Sequence, residues 1–195
     1  MFEKMTIEEY NKILASKSPT PGGGSALAVV GTIACSLVEM SINVTLGKLN
    51  ESDDEYGILS SNATFFARTR EKLQQLSNDD AKAFRNIVDC MHLPQETDEQ
   101  KAHRVSQLQK AYHKAALVPL DVMQVCCVAL ITAKNKILPF VYKYVASDCK
   151  IGVDLFGNII ENSMENVYAN TRLITDVELQ SRLEAQGKEI LAKIK

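Results

Sequence analysis

Between Ala26 and Leu46 the chain carries a single charged residue, Glu39, and it enters this stretch through Ser18-Pro19-Thr20-Pro21-Gly22-Gly23-Gly24. Two prolines and three glycines hold helical geometry poorly, so the apolar run must begin as a helix abruptly, at Gly24 or Ser25. Its length approaches the ~20 residues that cross a bilayer. Gly31, Thr32, Ser36, Ser41, Asn43 and Thr45 dilute it, however, and no aromatic belt or basic flank frames it, so no membrane contact is expected. What remains is the buried central helix of a bundle, and the rest of the chain must then supply amphipathic helices to cover it.

The rest has that period. Apolar residues recur at three- and four-residue steps, and no run alternates with strand period. Thr6, with Glu9 three residues on, fits a capping box, and a first helix should run to about Ala15. Gly47 stops the apolar helix, Asn50 to Glu55 turns, and a long helix follows from about Tyr56 to Leu76. Ser77-Asn78-Asp79-Asp80 reads as a break, with one of the two aspartates capping a helix that ends near His92 and Leu93-Pro94. Beyond the acidic loop Gln95 to Glu99, another long helix carries Val105, Leu108, Tyr112, Ala115 and Val122 on one face, and Pro119 inside it predicts a kink. Asn135 to Lys195 reads as three further helices, with breaks near Ala146 to Asp148 and near Thr175 to Asp176. With no internal repeat and no linker, residues 1–195 are expected to form a single domain. The fold class is all-α, a helical bundle around a long, nearly uncharged central helix, and pairing of two copies into a homodimer would complete its core.

Composition narrows the function. A net charge of -2, with Lys and Arg scattered among Asp and Glu, leaves no polyanion-binding stripe, so nucleic acid is not an expected partner. Cys35, Cys90, Cys126, Cys127 and Cys149 form no CxxC pair and sit mostly in apolar runs, which suits buried, reduced thiols in a cytoplasmic protein. The opening Met1-Phe2-Glu3-Lys4 lacks the pattern of a signal peptide. His103 and His113 lie about 280 degrees apart on a helix and His92 is remote, so no metal is assigned. No Gly-x-Ser-x-Gly elbow is present.

Pro21-Gly22-Gly23-Gly24-Ser25 is the sharpest local feature. It is either a tight turn or a place where an anionic group reaches free helix N-terminal amides over side chains that are absent. The Gly-Lys-Ser/Thr ending of a Walker loop is missing, and no strand precedes it as a dinucleotide fingerprint would require. Asn43 and Lys48 flank the end of the same helix, where a cation complements the C-terminus. Asp79, Asp80 and the pair Ser147-Asp148 each admit a capping role or an acid/base role.

The stretch Ser18-Pro-Thr-Pro-Gly-Gly-Gly-Ser-Ala-Leu-Ala28, running on to Met40-Ser-Ile-Asn-Val-Thr-Leu-Gly-Lys48, resembles the formimidoyltetrahydrofolate cyclodeaminase and methenyltetrahydrofolate cyclohydrolase family. Collinear similarities continue through Asp80-Ala-Lys-Ala-Phe84, His92-Leu-Pro94, Ala116-Leu-Val-Pro-Leu120, Ser147-Asp148, and Asn166-Val-Tyr-Ala-Asn170 ending in Ile174-Thr-Asp176. The resemblance implies a dimeric, entirely helical enzyme acting on a one-carbon group carried by tetrahydrofolate. That folate derivative is the substrate, no prosthetic group is implied, and a formimidoyltransferase is a possible partner. On this basis Pro21, Gly22, Gly23, Gly24 and Ser25 would line the folate site, with Asn43, Lys48, Ser147 and Asn170 bordering it. Asp80 and Asp148 would be the acid/base groups. The chain departs from the family pattern at Val141-Tyr142-Lys143-Tyr144, in place of a Gly-Asn-rich turn. It departs again at Asn162-Ser163-Met164-Glu165, in place of small residues, where bulk is expected to disturb close helix packing.

Overall fold

In the computed structural model, which describes residues 2–194, six α-helices account for most of the chain: α1 (Ile7–Leu14), α2 (Gly23–Leu46), α3 (Asp54–Met91), α4 (Asp98–Thr132), α5 (Ala146–Thr171) and α6 (Val177–Ala192). The capping box at Thr6 forms as expected, with Thr6 accepting from the Glu9 amide and the Glu9 side chain accepting from the Thr6 amide. Thr97 and Gln100 build a second one at the start of α4, which satisfies amides that the acidic loop before it could not reach.

Helices α2, α3, α4 and α5 form a four-sided bundle, each packed on its neighbours, and α6 lies against α4 and α5. The all-α expectation holds. The central position belongs to α4, which touches α2, α3, α5 and α6 and runs on through a π-helical turn (Ala133–Ile137) closed by the Leu138 amide on the Ala133 carbonyl at 2.8 Å. Helix α2, expected to be buried all round, is instead one wall: Ala28, Ala34, Cys35, Val38 and Ile42 are sealed in the core, while Ile33, Met40 and Val44 stand exposed. By length and composition α2 and the stretch Asp98–Ile137 could each cross a membrane, yet both contribute their inner faces to one core with Phe66, Leu73, Phe156 and Ile160.

Helix α3 corrects the sequence reading most. No break occurs at Ser77-Asn78-Asp79-Asp80, and the helix continues from Asp54 to Met91. Neither aspartate therefore caps the helix that contains it. The first of the three helices expected after Asn135 is also replaced by the π turn and an irregular segment, and Val145 rather than Ser147 or Asp148 is the N-cap of α5. Met164 does insert bulk, but it is buried against Gly187 of α6, where a Cβ would lie 2.5 Å from its sulfur. Gly152 lets α5 close on α2, since a Cβ there would stand 2.9 Å from both the Ala34 carbonyl oxygen and Val38 Cγ2.

Candidate active site

Gly22 is the N-cap of α2, and it has no side chain with which to cap. The acceptor comes from another helix: Asp80 Oδ2 receives the Ser25 amide at 2.9 Å. A carboxylate at this position also meets the positive end of the α2 dipole. Asp80 thus caps a helix, though not the one in which it resides. Its approach depends on Gly24, where a Cβ would sit 2.8 Å from Asp80 Cγ and closer still to Oδ1.

Buried hydroxyls hold this junction. Ser25 Oγ lies 2.8 Å from Ser77 Oγ and 3.1 Å from the Tyr10 hydroxyl. Next to Ser77, Asn78 accepts the Phe2 amide at 2.9 Å, and Phe2 and Tyr10 pack edge to face with Ala81 and Val29 beside them. The N-terminal segment therefore clamps the stretch of α3 that presents Asp80. Polar residues at 77, 78 and 80 look like a helix break in sequence, but each is paired across the fold, which is what burial of such groups demands.

The carboxyl of Asp80 opens into a cavity of about 170 Å³ lined by Pro19, Thr20, Gly22, Gly23, Gly24, Ala83, Phe84, Ile87, Ala115, Asn166, Ala169 and Asn170. Burial pushes its pKa above the ordinary carboxylate value, and the Ser25 amide partly opposes that rise. Oδ1 makes no hydrogen bond among the described residues, so it is free to face a ligand. Burial also raises the Tyr10 phenol, with the charge of Asp80 acting in the same sense.

Asn170 has a structural task at the cavity wall. Pro119 has no amide hydrogen, so the Ala115 carbonyl four residues earlier loses its helical donor. Asn170 Nδ2 supplies one at 3.3 Å and also donates to the Asn166 carbonyl at 2.9 Å. Helix α4 accordingly runs through Pro119 unbroken. The Asn170 amide nitrogen is thereby committed, which leaves its oxygen for a ligand. Asn166 Oδ1 stands 3.8 Å from where a Gly23 Cβ would be, and together with Phe84 it belongs to the wall. Asn166, Phe84, Tyr10 and Ser77 escaped the residue-by-residue reading, although the first two fall inside the stretches on which the resemblance rests.

The structure brings together Pro21 to Ser25, Asp80 and Asn170, and it separates Asn43, Lys48, Ser147 and Asp148 from them. Twenty residues of α2 at 1.5 Å each place Asn43 about 30 Å from Gly23. At that far end Thr45 Oγ1 accepts the Tyr142 amide at 2.9 Å and Ser41 Oγ donates to the Val145 carbonyl at 3.2 Å, so the beginning of α5 is pinned beside Asn43 and Lys48. Within one chain, Asp148 and Asp80 cannot serve the same reacting group. Among the described residues no group of three or more His, Cys, Asp or Glu side chains is gathered as a metal site.

The chain is similar to the methenyltetrahydrofolate cyclohydrolase of Methylorubrum extorquens, 34% identical over 179 residues that cover 88% of this chain and 81% of that one. It is 24% identical to the formimidoyltransferase-cyclodeaminase of Sus scrofa over 189 residues, 97% of this chain but 35% of that protein, and so spans about a third of that relative. The crystal structure of formiminotetrahydrofolate cyclodeaminase from Thermotoga maritima superposes with a TM-score of 0.87 at 28% identity, covering 100% of this chain and 92% of that one. Residues 6–189 match the family described as formiminotransferase-cyclodeaminase, and the chain belongs to that family.

Proposed function

We propose that this chain is a cytoplasmic enzyme of folate one-carbon chemistry acting on the bridge between N5 and N10 of tetrahydrofolate. It either closes a 5-formimidoyl group to the 5,10-methenyl form with release of ammonia or opens the methenyl bridge with water. The observation that carries this reading is Asp80: a half-buried carboxyl with a raised pKa, anchored through Oδ2 and lining a cavity, with no hydrogen bond to Oδ1 among the described residues.

In ring closure N10 attacks the amidine carbon, and ammonia leaves from the tetrahedral adduct. A proton must leave N10 and another must reach the departing nitrogen. In ring opening a water loses a proton as it adds to the same carbon, and one C–N bond of the adduct then breaks as its nitrogen takes up the hydroxyl proton, leaving a formyl group on the other nitrogen. A carboxyl whose pKa burial has moved toward neutrality can hold or release a proton at either step, and Asp80 Oδ1 is the atom available. Gly22, Gly23 and Gly24 admit the ligand against the α2 N-terminus, Phe84 and Ile87 supply apolar wall, and the Asn166 and Asn170 amides offer fixed dipoles. Asp148, at the opposite end of α5, has no part in this proton transfer within one chain.

The test is an absorbance assay following the methenyl chromophore with purified protein. Its appearance from 5-formimidoyltetrahydrofolate identifies ring closure, and its accelerated loss from 5,10-methenyltetrahydrofolate identifies ring opening. Asp80→Asn should abolish either activity in folded protein. Binding of both folates without turnover would refute the catalytic reading and leave a folate-binding protein.

A further inference from the structure

Ser25 holds α3 at two points one turn apart. Its amide donates to Asp80 Oδ2 at 2.9 Å, and its hydroxyl lies 2.8 Å from that of Ser77. Ser77 and Asp80 are three residues apart on α3, which puts them on one face and about 4.5 Å apart along the axis. A single contact would leave α3 free to turn about it, whereas two fix both its rotation and its slide against the start of α2. Those two quantities decide where the uncommitted Asp80 Oδ1 stands.

The Tyr10 hydroxyl, 3.1 Å from Ser25 Oγ, brings a third helix to the junction. Among the described residues Tyr10 is the only buried one of α1, and Ile7 on the same helix is 80% exposed. Helix α1 therefore delivers one phenol to the interior and little else. Other buried hydroxyls on α2 and α3 behave differently: Ser41, Thr45 and Thr69 each donate back to the carbonyl four residues earlier. Ser77 makes no such bond among the described residues and turns instead across the interface to Ser25 and Tyr10. Ser25 and Ser77 are fully buried, and a pair of buried hydroxyls can be exchanged for apolar groups of the same shape at little loss of stability. What the exchange removes is direction, because apolar contacts have none.

We propose that Tyr10 and Ser77 are positioning residues for the Asp80 carboxyl and act through Ser25. The phenol and the Ser77 hydroxyl hold the Ser25 side chain, the Ser25 amide then meets Oδ2 at a fixed place, and Oδ1 stays available to the reacting group. Among the described residues neither Tyr10 nor Ser77 lines the cavity, so their effect on a ligand there is indirect. The inference rests on the proposed catalytic role of Asp80; the coupling of Tyr10 to the Ser25 amide does not.

Two measurements separate these parts. Tyr10→Phe keeps the ring that packs edge to face on Phe2 and removes only its oxygen, and Ser77→Ala removes the partner on α3. Each should lower kcat about tenfold with KM within about twofold of wild type, the loss expected of a slip smaller than the ~1 Å that costs about 100-fold. The double variant should be no slower than the slower single one, because both residues act through Ser25. Unchanged kcat in both single variants, a loss confined to KM, or losses that multiply in the double variant would each overturn the proposal. The second measurement is amide hydrogen exchange in the folded protein. The Ser25 amide should exchange about tenfold faster in Tyr10→Phe while the Leu73 amide in the core of α3 is unaffected. Equal protection of Ser25 in both proteins overturns the coupling. If the wild-type protein turns over neither substrate, the catalytic reading has failed by itself, and the exchange of the Ser25 amide still decides whether Tyr10 governs its bond to Asp80.

Discussion

Replacing Gly24 by Ala should separate activity from stability. The added Cβ would stand 2.8 Å from Asp80 Cγ. Carbon atoms in contact prefer about 3.5–4.0 Å, so the carboxyl must retreat by about 0.7–1.2 Å. It is the end of a short side chain beside an open cavity, so it can swing rather than force the backbones of α2 and α3 apart. Swinging breaks the Ser25 amide contact, a hydrogen bond to a charged group worth about 1.5–3 kcal/mol. Regained solvation of the carboxylate in the cavity and the ~1 kcal/mol helix preference of Ala over Gly offset most of that loss. We expect the melting midpoint to move by no more than the equivalent of about 1 kcal/mol, while a misplacement near 1 Å lowers kcat about 100-fold. The assay is kcat from the methenyl absorbance across pH, paired with thermal melts. A Gly24→Ala protein with unchanged kcat, or one destabilised by several kcal/mol, would refute the argument that Gly24 exists to admit this carboxylate.

Three other perturbations follow from the same structure. Because the folded-state pKa of Asp80 is raised above 3.8, the native protein holds its proton longer than the unfolded chain and loses stability as pH rises through the folded pKa. Asp80→Asn, which keeps an acceptor for Ser25, should therefore melt above wild type at pH 7, by a margin that shrinks as pH falls through the folded pKa and levels off below 3.8; a pH-independent difference would contradict this. Gly152→Ala drives a Cβ to 2.9 Å from both the Ala34 carbonyl and Val38, so it should cost about 1–3 kcal/mol in denaturant titrations while kcat of the folded fraction is kept. All five cysteines are buried, and burial raises Cys35 to about 12 and Cys149 to about 11, so the native protein should react with Ellman's reagent far more slowly than the unfolded chain. Rapid native labelling of any of them would show that the core opens.

Features governed by neighbours a few residues away were legible in the sequence. The Thr6 capping box, the abrupt start of α2 after the prolines and glycines, the helical period throughout and the apolar character of α2 are all of this kind, because caps, breakers and amphipathic faces act within one or two turns. What depended on partners from elsewhere was not legible. Ser77, Asn78 and Asp80 mimic a helix break until the fold supplies Ser25, Phe2 and the α2 amide to satisfy them. Pro119 orphans the Ala115 carbonyl, and only the fold shows that Asn170 supplies its donor. The sequence therefore determined which segments are helical and which carry unusual chemistry. Only the tertiary structure decided that Asp80 meets the glycine entry while Asn43, Lys48 and Asp148 lie about 30 Å away, because a rigid helix of fixed rise sets the distance between its ends whatever residues they bear.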